Sequence, residues 1–379
     1  MKIAIDARMM GAGNTRGIGR YIEELVRAML DLGTDDEFVL LVRQSDHPFA
    51  RHPRVSTVLA PVSWYGFAEQ LKMPGILERT GADVVHVPHW NVPLLYRGPL
   101  VVTVHDLLLR HYPSSAKTST RSWPIRLMKR ILYRAVVGHA VRAAKKILIP
   151  TEFTRHDVES FYPGAKGKSV MTGEGMPKPV SGSSYPVSST GRATSYQIPD
   201  TSYLLYVGSA YPHKGLDDLL SVWPEIRRRH AMLRLIIAGE MDIFMQRMKA
   251  SHAAQGGVDY LGKVSDDSLE RLYGNAIALV FPSHFEGFGL PPLEALAHGC
   301  PVISSDAASL PEVLGKHGIE FFHVGDGNGI LLAVEKVLSD RKKAREAAAS
   351  AAHELQQRHD WRKAAKLTLE AYHSVKNRV

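Results

Sequence analysis

The sequence has one cysteine, Cys300, among 379 residues, and it has no long apolar run. A single cysteine excludes a disulfide framework and a cysteine-rich metal site, and we expect Cys300 to be a small buried residue beside Pro301. Without an apolar run of about 18 residues, no transmembrane helix is predicted. The start, MKIAID, is typical of a strand and lacks a signal-peptide pattern, so we expect a cytoplasmic protein.

Acidic residues are missing between Asp106 and Glu152, whereas this segment carries ten lysines and arginines. Without these ten, the 47 basic residues fall to 37, against 38 acidic ones, so the net charge of +9 comes from this segment. Apolar residues from Trp123 to Val137 are mixed with the basic ones at helical spacing. A basic amphipathic helix is typical of a membrane-surface element, and we expect residues 110–146 to bind an anionic membrane surface. The alternative is a buried helix with a solvated basic face.

Patterns for two other partners are also missing. No stacking-aromatic or zinc-finger pattern favours nucleic acid, so no nucleic-acid partner is predicted. The eighteen histidines show no metal-ligand spacing and no D-x-D motif occurs, so we expect neither a metal nor a separate cofactor. Asp217 and Asp218 fall within a helical pattern, and we interpret them as surface residues.

Short apolar runs alternate with longer helical patterns along the whole chain, which is typical of βαβ units and parallel sheets. The length suits two α/β domains. We predict one domain at 1–180 and a second at 200–360, separated by a Ser-, Pro- and Gly-rich linker at 178–200. The tail, 361–379, reads as one amphipathic helix.

The predicted strands and helices can be given by their ranges. Strands are expected at 2–6, 38–42, 84–87, 101–105, 146–150, 203–207, 233–238, 277–281, 302–304 and 320–323. In the first half, helices are expected at 18–32, 67–79, 124–144 and 152–161.

One segment, FPSHFEGFGLPPLEALAHGCPVISSD at 281–306, predicts a binding site. It reads as a strand end, a glycine-spaced loop, and a helix opened by Pro291 and Pro292 with Glu294 in its first turn. Backbone N–H groups ahead of a helix can bind an anion, and flanking carboxylates can hold hydroxyl groups. Taken singly, Glu294 would be only a carboxylate favoured by the helix dipole. Together, these residues indicate a sugar nucleotide.

The same segment strongly resembles the E-x7-E signature of glycosyltransferase family 4, with Glu286 and Glu294 at the required spacing. The resemblance implies a GT-B fold, in which two Rossmann-like doubly wound domains face a central cleft, and a retaining transferase. It also implies that the first domain binds the acceptor, that the second binds the nucleotide sugar, and that the final helix packs back on the first. Glu286 would hold hydroxyls of the donor sugar and Glu294 those of the ribose. The residues expected to serve the diphosphate through their amides are Gly287, Phe288, Gly289 and Leu290.

The glycine-rich loop at 11–19 allows another interpretation. A dinucleotide fingerprint requires G-x-G-x-x-G, but its sixth position here is Arg16, and no acidic residue closes the second strand. An NADP-dependent dehydrogenase remains an alternative, although this loop does not match its fingerprint. The family resemblance instead implies that Gly17 and Gly19 face the donor phosphates and the acceptor.

His105 follows a predicted strand, where the carboxyl ends of parallel strands form a ligand crevice. A histidine in this position is often only structural. The resemblance implies that His105 hydrogen-bonds a hydroxyl of the donor sugar, with Asp106 as a lesser candidate. Thr151 is predicted to be the N-cap of the following helix.

In the second half, the resemblance assigns phosphate binding to Lys214, which otherwise could be a surface lysine. Ser209 stands where the family often has an arginine, so Lys214 would carry more of the phosphate charge, with help from Arg16 or Arg20. The P-H-K-G sequence is similar to bacterial mannosyltransferases and favours GDP-mannose.

Lys263 and Val264 match the turn that frames the nucleobase in the family. A simple turn with Asp266 as a helix cap is equally consistent with these residues.

The predicted function is transfer of a hexose, mannose from GDP-mannose, to a lipid-linked or oligosaccharide acceptor in bacterial surface polysaccharide synthesis. The catalytic candidates are His105, Lys214 and Glu286. A polyprenyl-diphosphate-linked glycan at the cytoplasmic membrane face is the expected acceptor. A UDP-sugar-dependent transferase, a dehydrogenase and a non-catalytic sugar-nucleotide-binding protein remain the alternatives.

Overall fold

The structure is a computed structural model that describes residues 1–10, 17–113, 123–176 and 202–376. The predicted linker at 178–200, the loop residue Arg16 and the part of the basic segment at 114–122 lie outside these ranges. The chain divides into two compact units. The first comprises Met1–His111, Thr118–Gly175 and His359–Val379, and the second comprises Tyr112–Lys117 and Met176–Arg358.

The first unit is built on a seven-stranded sheet. In chain order its strands are β1 (Lys2–Asp6), β2 (Glu37–Val42), β3 (Val55–Leu59), β4 (Val84–Val87), β5 (Leu100–Thr103), β6 (Lys146–Ile149) and β7 (Ser169–Met171). Its helices up to this point are α1 (Ile18–Asp31), α2 (Phe67–Arg79), α3 (Leu108–His111), α4 (Trp123–Ala143) and α5 (Glu152–Phe161). All neighbouring strands are parallel, in the order β3-β2-β1-β4-β5-β6-β7.

The second unit repeats this plan with a six-stranded parallel sheet. Its strands are β8 (Tyr203–Val207), β9 (Arg234–Ala238), β10 (Val258–Gly262), β11 (Ala278–Phe281), β12 (Val302–Ser305) and β13 (Ile319–Phe322). Its helices are α6 (Leu216–Arg229), α7 (Ile243–Ser251), α8 (Asp266–Asn275), α9 (Leu290–Ala297), α10 (Leu310–Leu314), α11 (Gly327–Ser339) and α12 (Arg341–Arg358). The strand order is β10-β9-β8-β11-β12-β13.

In both units the order of strands reverses at one place, between β1 and β4 in the first and between β8 and β11 in the second. Open parallel sheets bind ligands outside the carboxyl ends of the strands at such a reversal. The predicted α/β class with two doubly wound sheets is confirmed. Ligands are therefore expected at the loops that follow these four strands.

Two strands of the first sheet were not predicted, and both have a weak sequence signal. The edge strand β3 is mostly exposed, and β7 has only three residues. Neither has the continuous buried apolar run by which the other strands were recognised. The strand expected at 101–105 also ends earlier, at Thr103, so His105 lies in the loop that follows it.

The final helix, α13 (Trp361–Lys376), belongs to the first unit and packs on α1. Its Tyr372 is fully buried and donates or accepts a 2.6 Å hydrogen bond with Nδ1 of His86, a residue of β4. Nε2 of His86 lies 2.8 Å from Oγ1 of Thr103 at the end of β5. Buried polar groups need such partners, and this chain of contacts links Tyr372 of α13 to β4 and β5.

No helix within the described ranges is long and apolar enough to cross a membrane. The single cysteine, Cys300, is fully buried, as expected from the sequence.

Candidate functional site

The second unit brings two of the predicted catalytic residues into contact. Lys214 lies in the turn after β8, and Glu286 lies in the loop after β11, so they follow the two strands that flank the reversal. Nζ of Lys214 is 2.7 Å from Oε1 of Glu286, and both side chains are largely but not fully buried. An ammonium group has three N–H donors and a carboxylate has two oxygens, so each partner keeps capacity for a ligand.

The turn that carries Lys214 comes close to the backbone after β11 because Gly215 has no side chain. A Cβ atom at Gly215 would lie 1.9 Å from the carbonyl oxygen of Pro282, and the residue has a left-handed φ of 65°. The amide of His284 donates a 2.7 Å hydrogen bond to the carbonyl of His213 in the same turn. Only glycine is compatible with both this backbone conformation and this approach.

Two serines that the sequence interpretation missed hold the loop around Glu286. Oγ of Ser283 donates to Oε1 of Glu286 at 2.6 Å, and Oγ of Ser309 donates to the backbone carbonyl of Glu286 at 2.9 Å. Both serines are fully buried. A serine near an apolar strand does not by itself indicate a functional site, because its hydrogen-bond partner is brought close only in the folded sheet.

Glu294, the second acidic residue of the signature, lies on α9, and its Oε2 accepts a 3.1 Å hydrogen bond from the hydroxyl of Tyr273 on α8. The expectation that Glu294 lies in the first turn is wrong, because α9 begins at Leu290 and Glu294 is its fifth residue. Glu294 is therefore positioned by side-chain packing and by Tyr273 rather than by the helix dipole, which acts mainly on the first turn.

The loop before α9 turns sharply at Gly289, whose φ is 91°. Pro291 and Pro292 lie in the first turn of α9 and have no N–H group, so this helix start offers fewer amide donors than an ordinary one. At this helix start, a backbone contact to an anion would come from the amides of the predicted residues Gly287, Phe288, Gly289 and Leu290.

Three more predicted donor residues follow strands of this sheet, on the other side of β8 from β11. Ser209 follows β8, and its carbonyl accepts a 2.7 Å hydrogen bond from the hydroxyl of Tyr206. Lys263, which is exposed, and Val264, which is partly buried, follow β10. The N-cap of α8 is Ser265 rather than Asp266, because its hydroxyl accepts from the amide of Ser268.

Histidine and aspartate side chains surround the Lys214 turn. Burial, and then the positive charge of Lys214, lower the pKa of His213 to about 3, so this ring is neutral at pH 7.

Asp218, which we interpreted as a surface residue, instead accepts a short hydrogen bond from Nε2 of His284. That contact could not be found in the sequence because 66 residues separate the partners.

In the first unit, His105 pairs with a buried carboxylate that sequence reasoning missed. Nδ1 of His105 lies 2.9 Å from Oε1 of Glu174, and Nε2 lies 3.2 Å from the carbonyl oxygen of Pro88. Both partners are acceptors, so a doubly protonated ring satisfies both. Burial lowers the pKa of His105, but the hydrogen bond and charge of Glu174 outweigh it, and the pKa lies above its ordinary value.

The other residues predicted around His105 have structural contacts. A carboxylate oxygen of Asp106 accepts a hydrogen bond from the amide of Leu108. Thr151 is the N-cap of α5, as predicted, and its hydroxyl accepts a 3.1 Å hydrogen bond from the amide of Thr154. Gly17 precedes α1 with a φ of 64°, and Gly19 lies buried in its first turn.

Within the part of the chain that the structure describes, no group of three or more His, Cys, Asp or Glu side chains could hold a metal ion. Metal independence remains a prediction from the sequence.

Two family models match the chain. A model described as "Glycosyltransferase Family 4" matches residues 15–171, and one described as "Glycosyl transferases group 1" matches residues 193–355. Together, the two matches cover most of the chain and both units.

Among curated relatives, the chain is 27% identical to O-antigen chain mannosyltransferase B of Escherichia coli, over 83% of this chain and 84% of that protein. Among solved structures, it is similar to sucrose-phosphate synthase from Thermosynechococcus elongatus, with a TM-score of 0.74, 18% identity and full coverage of both chains. The Anabaena protein HepE in complex with UDP-glucose is also similar, with a TM-score of 0.68 and 16% identity over 99% of this chain and 100% of that one. At these identities the solved structures support the fold, which is of the GT-B type.

Proposed function

Because the chain belongs to the family 4 glycosyltransferases, we propose that it transfers a hexose from a nucleoside diphosphate sugar to a hydroxyl group of a glycan acceptor, with retention at the anomeric carbon. The donor in this proposal is GDP-mannose. The observation that carries the proposal is the contact between Lys214 and Glu286 beside the reversal of the second sheet.

This contact suits the part of a donor where the phosphate meets the sugar. The ammonium group of Lys214 would bind the diphosphate and neutralise the charge that develops on it as the glycosidic bond breaks. The free oxygen of Glu286 would accept a hydroxyl of the sugar, since Oε1 already accepts from Lys214 and Ser283. The two groups would thereby hold the anomeric carbon between them.

The rest of the donor would lie along the same edge of the sheet. Glu294, held by Tyr273, would accept the ribose hydroxyls, and the loop containing Lys263 and Val264 would frame the base. The amides at 287–290, together with Ser209, would contact the phosphates. No metal takes part in this proposal, because Lys214 and backbone N–H groups carry the neutralising charge.

His105 has a different role in the proposal. Both of its ring nitrogens already have acceptors, Glu174 and Pro88, so these contacts fix the orientation of the ring. We propose that the ring of His105, held in this way, orients the donor sugar.

Mannose is favoured by the name of one relative, an O-antigen mannosyltransferase. A UDP-sugar is the second candidate, favoured by the fold shared with HepE, which was solved with UDP-glucose.

Helix α4 supports a membrane-bound acceptor. At its start, five large apolar side chains are exposed, with spacings that place them on one side: Trp123, Leu127, Met128, Ile131 and Leu132. Arg126, Lys129 and Arg130 are exposed on the other side of the same turns. An exposed helix with an apolar and a basic side is suited to an anionic membrane surface. We therefore propose that the enzyme acts at the cytoplasmic face of the membrane on a polyprenyl-diphosphate-linked glycan.

A thermal-shift panel with GDP, UDP, ADP and NADPH, without added metal, tests the donor. A ligand at about 100 times its dissociation constant stabilises a protein by about 2.7 kcal/mol, which is readily measured. A shift with GDP alone supports the proposal, and a shift with UDP alone replaces the donor. A shift with NADPH alone would overturn the function. A non-catalytic binder is excluded if wild type turns over GDP-mannose and Glu286→Gln loses this turnover but keeps the thermal shift with GDP.

A further inference from the structure

The first unit has an aromatic surface that the proposed donor site does not use, formed by Tyr65, His89 and Trp90. We infer that this surface binds the terminal hexose ring of the acceptor glycan, an assignment that rests on the proposed function and names its second substrate. The ring centroids of Tyr65 and Trp90 lie 5.7 Å apart, and His89 lies 5.6 Å from Tyr65 and 4.4 Å from Trp90.

Tyr65 is held on this surface at the expense of backbone strain. Its φ is 60°, a left-handed value that is rare for an aromatic residue, and its side chain is 60% exposed. The amide of Tyr65 donates a 2.8 Å hydrogen bond to the fully buried carboxylate of Glu69. Strained residues that the surroundings hold in place are concentrated at functional sites.

The carboxylate of Glu69 is itself fixed on several sides. Its Oε1 accepts a 2.6 Å bond from the buried guanidinium of Arg8, and its Oε2 accepts a 2.6 Å bond from the side-chain amide of Asn91. Arg8 also pairs with Asp6, the last residue of β1. A buried network in which each member has its partners is rigid, so the loops that carry Tyr65 and Trp90 have a defined geometry.

The hydrogen bonds of His89 determine what Tyr65 offers to a ligand. The backbone amide of Asn91 donates to Nδ1 of His89 at 3.2 Å, so this nitrogen is an acceptor and the proton of the neutral ring is on Nε2. Burial and the charge of His105 lower the pKa of His89 to about 3, which keeps the ring neutral. Nε2 lies 3.2 Å from the hydroxyl of Tyr65 and donates to it. The hydroxyl proton of Tyr65 is therefore left to donate to an incoming group.

The surface also lies where a ligand of the first sheet is expected. Tyr65 comes after β3 and the loop 88–91 after β4, at the carboxyl edge beside the reversal between β1 and β4. The same loop reaches His105, whose Nε2 bonds to the carbonyl of Pro88. A ring bound on Tyr65 and Trp90 would therefore be close to a residue of the proposed reaction.

A hexose matches this chemistry better than other ligands. Its ring has an apolar C–H face, which can lie on an aromatic ring, and hydroxyl groups at its rim, one of which can accept from Tyr65. Tyrosine and tryptophan provide such amphipathic contact area at a low cost in side-chain entropy. No cation is exposed within the three-residue surface itself, so nothing in it favours a phosphate.

Saturation-transfer NMR with the full chain tests this assignment, using methyl α-mannoside, methyl α-glucoside and methyl α-galactoside as probes. We expect transfer to the ring protons of at least one hexoside, and about tenfold weaker binding to Tyr65→Ala, which corresponds to about 1.4 kcal/mol. Tyr65→Phe keeps the ring but loses the donor, so it should retain the transfer with a smaller loss of affinity. Phe67→Ala is the matched control, since Phe67 is 80% exposed two residues away and has no part in the cluster.

Equal transfer to wild type and Tyr65→Ala, or no transfer from any of the three hexosides, would overturn the inference. So would a Tyr65→Ala variant that loses binding to anionic vesicles but not to sugars, because the surface would then face lipid. The GDP shift separates this test from that of the donor: a shift without hexoside binding removes only the present inference. Hexoside binding that depends on Tyr65 without any nucleotide shift removes the proposed function instead.

Discussion

Lys214 and Glu286 are 72 residues apart in the chain, yet Nζ of one lies 2.7 Å from Oε1 of the other. They meet because the strands that precede them, β8 and β11, are neighbours at the point where the order of the second sheet reverses. A cation and a carboxylate held together at this edge form a site in which phosphate and sugar hydroxyls can be bound side by side.

Replacing either member of this pair should abolish most of the transferase activity. We expect Lys214→Met to lower kcat by about 10² to 10³, the range for loss of one charge-stabilising donor. Glu286→Gln should also lower kcat. The double variant should lose less than the product of the two single effects, because the two groups act on the same reacting centre. Steady-state kinetics with GDP-mannose and a lipid extract that contains the glycan acceptor measure kcat for the single and double variants.

A surface ion pair provides the control for that experiment. Nζ of Lys336 is also 2.7 Å from a carboxylate, that of Glu320, but its side chain is 69% exposed. Lys336→Met should leave kcat unchanged, since exposed pairs contribute little. A kcat of Lys214→Met equal to that of wild type would exclude Lys214 from the reaction.

Gly215→Ala should destabilise the second unit and displace Lys214. The left-handed φ of Gly215 costs about 1–3 kcal/mol for a residue with a side chain, and the new Cβ would meet the carbonyl of Pro282. We expect a lower midpoint of urea unfolding together with a weaker thermal shift by GDP. Gly256→Ala is the control, because a Cβ there has no neighbour within 4 Å and the backbone is not left-handed. Equal effects of the two substitutions would contradict this account.

The pair His105 and Glu174 should make stability depend on pH. The raised pKa of His105 means that its contribution is fully present below the unfolded pKa of about 6.5 and is lost as the pH rises through the folded pKa. Glu174→Gln removes the main cause of that shift. The difference in free energy of unfolding between wild type and Glu174→Gln should therefore be largest below about pH 6.5 and should shrink at higher pH.

Urea unfolding of both proteins across this pH range measures the difference, in which the contributions of the other histidines cancel. Glu346→Gln is a suitable control, because that carboxylate is 67% exposed on α12. A difference that stays constant from about pH 6 to about pH 9 would mean that His105 does not titrate as the geometry indicates.

Loss of the exposed apolar side of α4 should weaken membrane binding without unfolding the protein. We expect Leu127→Ser combined with Ile131→Ser to lower binding to phosphatidylglycerol vesicles at least about tenfold, with little binding of either protein to neutral phosphatidylcholine vesicles. Added salt should reduce the binding of wild type as well. Vesicle sedimentation measures all three effects.

Leu332 of α11 is 59% exposed, close to the 58% of Ile131, and lies in the other unit. Leu332→Ser should therefore leave vesicle binding as it is. Wild-type binding that is equal for neutral and anionic vesicles would contradict the role proposed for α4.

Much of the fold could be predicted because strands and helices are encoded by nearby residues. The apolar runs at 2–6 and 203–207 and the helix over 67–79 correspond to β1, β8 and α2 with the same bounds. The glycine-spaced loop with Glu286 and the helix with Glu294 were also evident, since they lie within one short segment. Local sequence therefore accounts for the alternation of elements, the two parallel sheets and the family signature.

Which side chains meet depends instead on how the strands are arranged in each sheet. Glu174 lies 69 residues from His105 and Ser309 lies 23 residues from Glu286, and neither has a local pattern that indicates its partner. Tyr65 and His89 meet only because β3 and β4 deliver their loops to the same edge of one sheet. Hydrogen bonds and ion pairs act over a few ångströms, so they depend on strand order and register, which periodicity along the chain does not specify.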